Sequence, residues 1–169
     1  SCLDCPSGKF SSGDGGDASS CNYCPAGEHV VSGACAVCPT GRYSLDYNDS
    51  NECTSCPIGT YRPGSTDRTD HDQLSDCLAC PTGRYSSDTG QDTCSECEIG
   101  TFSNSGTGYT SADQCTVCAS GKYRTSTQNS GTECTPCGEG KFLSDSSTTF
   151  ANKQHHDAES DCTACPAGT

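Results

Sequence analysis

All 18 cysteines of this 169-residue chain fall into nine Cys-x-x-Cys pairs, beginning at Cys2, Cys21, Cys35, Cys53, Cys77, Cys94, Cys115, Cys134 and Cys162, with a mean period of 20 residues. A fixed period of this size marks a quasi-linear array whose units pack on their neighbours. Composition agrees: Val, Ile, Leu and Phe together number 15, and Met and Trp are absent. So few large apolar side chains cannot build a sizeable core, and cross-links must close the fold instead. The expected fold class is a small disulfide-rich repeat array, an elongated rod of short irregular strands and turns with almost no helix.

Aligned on the second cysteine, the segments share a start: Cys5-Pro-Ser-Gly-Lys-Phe-Ser, Cys38-Pro-Thr-Gly-Arg-Tyr-Ser, Cys56-Pro-Ile-Gly-Thr-Tyr, Cys80-Pro-Thr-Gly-Arg-Tyr-Ser and Cys118-Ala-Ser-Gly-Lys-Tyr. Glycine holds its slot in all nine repeats: Gly8, Gly27, Gly41, Gly59, Gly83, Gly100, Gly121, Gly140 and Gly168. A turn that demands positive φ explains it. Proline precedes in six repeats and is expected to preset φ in that turn, with Glu98, Ala119 and Gly138 replacing it in the others. Two residues after the glycine comes an aromatic, Phe10, Tyr43, Tyr61, Tyr85, Phe102, Tyr123 or Phe142, with His29 as the exception. Each ring is expected to pack over a neighbouring cross-link and to supply most of its repeat's apolar burial; a ligand-binding ladder of rings is the alternative.

Between the pairs lie loops of 10 to 24 residues rich in Ser, Thr, Asn, Asp and Gly, the fourth and eighth being longest. These two end alike, in Asp70-His-Asp-Gln-Leu-Ser-Asp76 and His155-His-Asp-Ala-Glu-Ser-Asp161, and Cys2-Leu-Asp-Cys-Pro resembles Cys77-Leu-Ala-Cys-Pro. A four-repeat super-period follows as an expectation, with units at 1–76 and 77–161 and a further repeat starting at 162–169. The absence of an initial Met and the stop at Thr169 within a repeat suggest a piece of a longer array.

Two chemistries suit paired Cys-x-x-Cys motifs. Zinc takes four thiolates at this spacing, but nine pairs, the lack of basic partner-binding residues and one turn repeated after every pair favour structural disulfides. Redox-active pairs would need a helix N-terminus to lower a thiol pKa. Translation along the array suggests a ladder joining the second cysteine of each pair to the first of the next: Cys5 with Cys21, Cys24 with Cys35, Cys38 with Cys53, Cys56 with Cys77, Cys80 with Cys94, Cys97 with Cys115, Cys118 with Cys134, and Cys137 with Cys162. Cys2 and Cys165 are left for partners beyond this stretch. Each closure of about 15 residues contributes roughly 3 kcal/mol by loop entropy. First-to-first and second-to-second pairing remains the competing pattern. Disulfides place the chain in an oxidising compartment, secreted or at a cell surface.

The run Cys-x-x-Cys-Pro-x-Gly-x-Tyr/Phe-Ser resembles the ephrin-receptor-like cysteine-rich repeat, and its Cys-Pro-x-Gly-x-Tyr portion is similar to the first loop of tumour-necrosis-factor-receptor cysteine-rich modules. The resemblance implies extended, disulfide-laddered extracellular stalks; long uninterrupted arrays look like those of protist and algal surface proteins, including coat antigens and flagellar hairs. It carries over no ligand-binding residues, which lie in variable loops of those families.

With 22 acidic residues against 9 basic ones the net charge is -13, and no Lys or Arg run offers a phosphate-binding stripe, which excludes nucleic acid as partner. No apolar run is long enough to span a membrane, and no signal-peptide pattern opens the chain. Catalytic motifs are absent from the sequence, so no enzyme activity, catalytic residue or cofactor is expected. The four histidines, His29, His71, His155 and His156, are expected in solvated loops. Calcium is considered at Asp46 to Glu52 and at Asp67, Asp70, Asp72 and Asp76, and a transition metal at His155 and His156 beside Asp157; solvated polar loops are the preferred reading, so no metal site is assigned. Asn48-Asp-Ser50 is the one N-glycosylation sequon, and 45 Ser and Thr residues offer O-linked positions. The expected function is a structural extracellular rod or filament subunit that self-associates into a fibre. The alternative is a receptor or adhesion stalk, with Gly27-Glu-His-Val-Val-Ser-Gly33 as its most divergent, apolar loop.

Overall fold

The computed structural model describes residues 5, 9–11, 21–45, 52–103, 106–125, 133–145 and 149–167. Cys2, Gly8, Asn48 and Gly168 lie outside them, as do Asp46 to Asn51.

The chain forms two compact units, one of Ser1–Leu78 with Asp88–Thr93, the other of Ala79–Ser87 with Cys94–Thr169. In the first lie β1 (Lys9–Ser11), β2 (Cys21–Tyr23), β3 (Glu28–Val31), β4 (Ala34–Val37), β5 (Arg42–Tyr43), β6 (Thr54–Ser55) and β7 (Thr60–Tyr61), followed by β8 at Leu78–Ala79. The second holds β9 (Arg84–Tyr85), β10 (Ser95–Glu96), β11 (Thr101–Phe102), β12 (Thr116–Val117), β13 (Lys122–Tyr123), β14 (Thr135–Pro136), β15 (Lys141–Phe142) and β16 (Thr163–Ala164). The pairs β1–β2, β3–β4, β5–β6, β9–β10, β11–β12, β13–β14 and β15–β16 are antiparallel. Most are two residues long because the motif supplies only the turn-following residue and the aromatic before a polar loop begins. Among the described residues helix is confined to 3₁₀ turns at Arg68–Asp70, Leu74–Asp76, Ala112–Gln114, Phe150–His155 and Glu159–Asp161.

Eight disulfides clamp the hairpins: Cys5–Cys21, Cys24–Cys35, Cys38–Cys53, Cys56–Cys77, Cys80–Cys94, Cys97–Cys115, Cys118–Cys134 and Cys137–Cys162. Cys165 is exposed and unbonded. Beside half-cystines, the buried apolar residues among those described are Tyr43, Val117 and Leu143. The interior is therefore a series of small clusters around sulfur.

The turn geometry corrects the role expected of proline. The carbonyls of Pro25, Pro39, Pro57 and Pro81 accept from the N–H three residues on, in Glu28, Arg42, Thr60 and Arg84. Proline thus occupies the first position of the turn, and a different residue takes the second. Glu98, Ala119 and Gly138 accept the same bond from Thr101, Lys122 and Lys141, because any residue has the carbonyl that is used. Glycine is in third place with positive φ, between 71° and 83° at Gly27, Gly41, Gly59, Gly83, Gly100, Gly121 and Gly140, as a type II turn requires. The residue after it ties the hairpin: Arg42 and Arg84 donate to the Cys53 and Cys94 carbonyls at 2.9 and 3.1 Å, whereas Thr60 and Thr101 donate back to the turn carbonyl at 2.6 Å.

Candidate functional site

With no single core, the chemically distinctive place is the junction between one repeat and the next. From the third repeat to the eighth the buried slot there is not the aromatic but the residue that follows it, whereas in the first two repeats Ser11 is exposed and Val30 half-buried. Ser44, Arg62, Ser86, Ser103, Arg124 and Leu143 are all buried. The rings vary more. Tyr43 is buried against the Cys56–Cys77 disulfide, Tyr61, Tyr85, Phe102 and Tyr123 are half-buried, and Phe142 is 38% exposed. Sequence reasoning missed the buried slot because it holds Ser, Arg and Leu alike, and no hydrophobic pattern announces it.

Backbone bonding explains the burial. The N–H of Gly27 donates to the Ser44 carbonyl, Gly41 to Arg62 and Gly100 to Arg124, each at 2.9 Å. In turn the N–H groups of Ser44, Arg62, Ser86 and Arg124 donate to carbonyls of His71, Gln91, Tyr109 and His156 at 2.8 to 2.9 Å, each in the loop of the following repeat. Two of these loops add a second bond, from Gly90 to the Cys56 carbonyl at 2.9 Å and from Gly108 to that of Cys80 at 2.8 Å. Because main-chain groups make these bonds, the junction tolerates the side-chain variation of the slot.

The fourth and eighth repeats seal their junctions with histidine. His71 and His156 are fully buried, which corrects the expectation of solvated loops. Each follows a 3₁₀ turn and caps it with nearly the same backbone, φ -130° at His71 and -131° at His156. His71 Nδ1 donates to the Arg42 carbonyl at 2.8 Å, and His156 Nδ1 to that of Lys122 at 3.0 Å; a carbonyl only accepts, so Nδ1 carries the proton. Neither Nε2 has a hydrogen-bond partner among the described residues. Packing and one backbone bond hold both rings, so they are structural wedges. His155 differs: it is exposed and pairs with Asp145 at 3.3 Å.

The acidic loop before Cys77 is occupied by its own chain. Asp67 accepts from the N–H and hydroxyl of Thr69 at 3.0 and 2.8 Å, and these bonds hold its carboxyl below the usual range. Asp70 accepts from Ser65 at 2.6 Å and lies 3.5 Å from the Arg62 guanidinium. Asp76 and Asp161, each just before a cysteine, accept from the N–H of Gln73 and Ala158 at 3.0 Å, and Gln114 does so for Ser111 at 3.2 Å. Burial pushes the Arg124 guanidinium down, with Glu96 opposing; Arg124 donates to the Thr101 carbonyl.

Among the described residues two groups have metal-like proximity, His29 with Cys38 and Cys53, and Glu28 with Cys24 and Cys35. In both, the sulfurs are already spent in disulfides, so neither offers a thiolate. The loop expected to diverge is the β3–β4 hairpin, closed by a two-residue turn with positive φ at Ser32 (51°) and Gly33 (82°), a type I′ geometry. Its Val31 is 46% exposed. Among the described residues no helix is long and apolar enough to cross a membrane.

No curated protein sequence matches the chain. Residues 43–90 match the family described as tyrosine-protein kinase ephrin type A/B receptor-like, and with that match and its regular series of eight disulfides the chain is a cysteine-rich repeat array of extracellular, receptor-type or structural character.

Proposed function

We propose that this chain is a structural, non-catalytic subunit of an extracellular rod or filament. The observation that carries this reading is the repetition of one main-chain junction, seen at Ser44, Arg62, Ser86 and Arg124. A binding protein concentrates its differences at one place, whereas here successive repeats spend their distinctive groups on holding each other. The disulfides favour an oxidising setting, and the acidic, Ser- and Thr-rich loops suit a surface exposed to water or carrying glycans, Asn48 among them. Electron microscopy of the purified, oxidised protein tests the reading. Fibres of regular repeat are expected; single particles alone, at every concentration, would overturn it.

The β3–β4 hairpin supports a second reading, a receptor or adhesion stalk. With Val31 exposed at its tip and His29 in place of the usual ring, it is the feature that departs most from its neighbours. A ligand of such a stalk would lose affinity on Val31→Asp substitution, with the disulfide map unchanged.

A further inference from the structure

Each of the eight disulfides closes the loop that follows a cysteine pair, so two covalent routes lead from Cys5 to Cys162. The long route is the main chain. The short route crosses the disulfides and, between them, the two-residue connectors of the seven Cys-x-x-Cys pairs from Cys21 to Cys137. The Cα atoms stand 5.6 to 5.9 Å apart across each disulfide, and three peptide steps extend a connector by about 11 Å at most. At full stretch the short route therefore measures about 120 Å and the main chain more than about 500 Å.

The short route is also the better protected. Its connectors lie in β2, β4, β6, β8, β10, β12 and β14, each hydrogen-bonded to the preceding strand of its hairpin. A disulfide-bonded cysteine stands at both ends of every connector. A segment pinned in this way resists being drawn into a protease cleft, whereas exposed polar loops are the preferred sites of nicking. All nine Lys and Arg residues fall in the disulfide-closed loops and none in a connector. A pull on the two ends tightens the short route, and no loop is drawn out while its disulfide holds.

We infer that this chain is a doubly secured tether: it bears tension through disulfides and connectors, keeps its continuity when loops are cut, and parts only when a loop is cut and its disulfide is also reduced. A protease alone leaves the short route whole. A reductant alone leaves the main chain whole, and each opened disulfide then pays out the loop it had closed, 11 to 25 residues long. The reductive step is thiol–disulfide exchange with a small thiol such as glutathione. Two glutathione thiols give two electrons and two protons to the disulfide and become glutathione disulfide, and the two cysteines leave as thiols. The property goes beyond the filament reading and serves a stalk equally, so an absence of fibres leaves it standing.

Trypsin treatment of the oxidised protein, followed by intact mass and by electrophoresis with and without glutathione, tests this. Eight of the nine Lys and Arg residues are open to cutting, Arg62 being followed by Pro63. Without reductant the nicked protein is expected to remain one species that gains one water per bond cut. It loses only Tyr123–Arg124 and Phe142–Lys153, the stretches between two cuts in one loop. With glutathione it falls into peptides, whereas uncut protein stays one chain. Pieces that separate without reductant overturn the inference; they are the outcome of cysteine pairs joined two by two, which leaves alternate loops unbridged. Thr54→Lys puts a trypsin site into a connector, and cutting at that site in urea, with disulfides intact, is expected to split the protein in two; a cut variant that stays whole overturns it equally. In an optical trap the oxidised protein should stop roughly 400 Å short of the length it reaches in glutathione, and a stop at the full length without reductant removes the load-bearing role.

Discussion

A Cβ on Gly27 would stand 2.0 Å from the carbonyl oxygen of Arg68, so the turn of the second repeat and the loop of the fourth share their space only because no side chain intervenes. Gly100 and the Lys153 carbonyl repeat the relationship at 2.2 Å. Gly27→Ala and Gly100→Ala therefore combine left-handed strain of about 1–2 kcal/mol with backbone overpacking of about 1–3 kcal/mol. Gly121→Ala and Gly140→Ala carry the strain alone. Denaturant unfolding of the oxidised proteins should separate the two classes; equal losses in all four would show that the close approach has no energetic weight.

Replacing either buried histidine should cost more than replacing the exposed one. His71→Ala and His156→Ala each open a cavity and leave a backbone carbonyl unpaired, a loss of about 2–4 kcal/mol. His155→Ala removes only an exposed contact with Asp145, worth under about 1 kcal/mol. The three melting temperatures measured side by side provide the check.

Serine substitution of both cysteines in one rung compares loop entropy with packing. Cys56–Cys77 spans 21 residues and Cys24–Cys35 spans 11, so loop entropy separates their removal by only about 0.6 kcal/mol. Tyr43 packs on the former, and its loss should widen the gap by about another 1–2 kcal/mol. Unfolding of the two double variants measures the difference, and quenching of Tyr43 by iodide reports its exposure.

Acid should release the Arg68–Asp70 turn first. The folded pKa of Asp67 is depressed by its Thr69 bonds, so the capping contribution is complete above the ordinary carboxylate pKa of about 3.9 and disappears as pH falls through the folded value. Amide exchange at Thr69 should accelerate below about pH 4, and in Asp67→Asn that acid dependence should vanish.

The fold class was legible because cysteine spacing is a strong, repeated signal. Second-to-first closure puts each disulfide beside its own hairpin, where the motif's turn and ring already lie. The histidines were misread for the opposite reason: His71 and His156 stand among Asp, Ser and Gln, a composition that reads as solvated loop, and their burial depends on strands some thirty residues earlier in the chain. Asp76 and Asp161 were noticed as part of a shared loop ending, but their role as caps required the backbone N–H three residues before. Proline, though conspicuous, contributes a carbonyl that Glu98, Ala119 and Gly138 supply equally well.

By itself the sequence determined that this protein is an array of cross-linked hairpins, since periodic cysteines and turn glycines act locally and few large apolar residues are available for anything else. Only the tertiary structure decided how neighbouring repeats hold one another. That hold is made by main-chain N–H and carbonyl groups, which every residue possesses and no sequence pattern distinguishes, and by the absence of a Cβ at points where two backbones nearly touch.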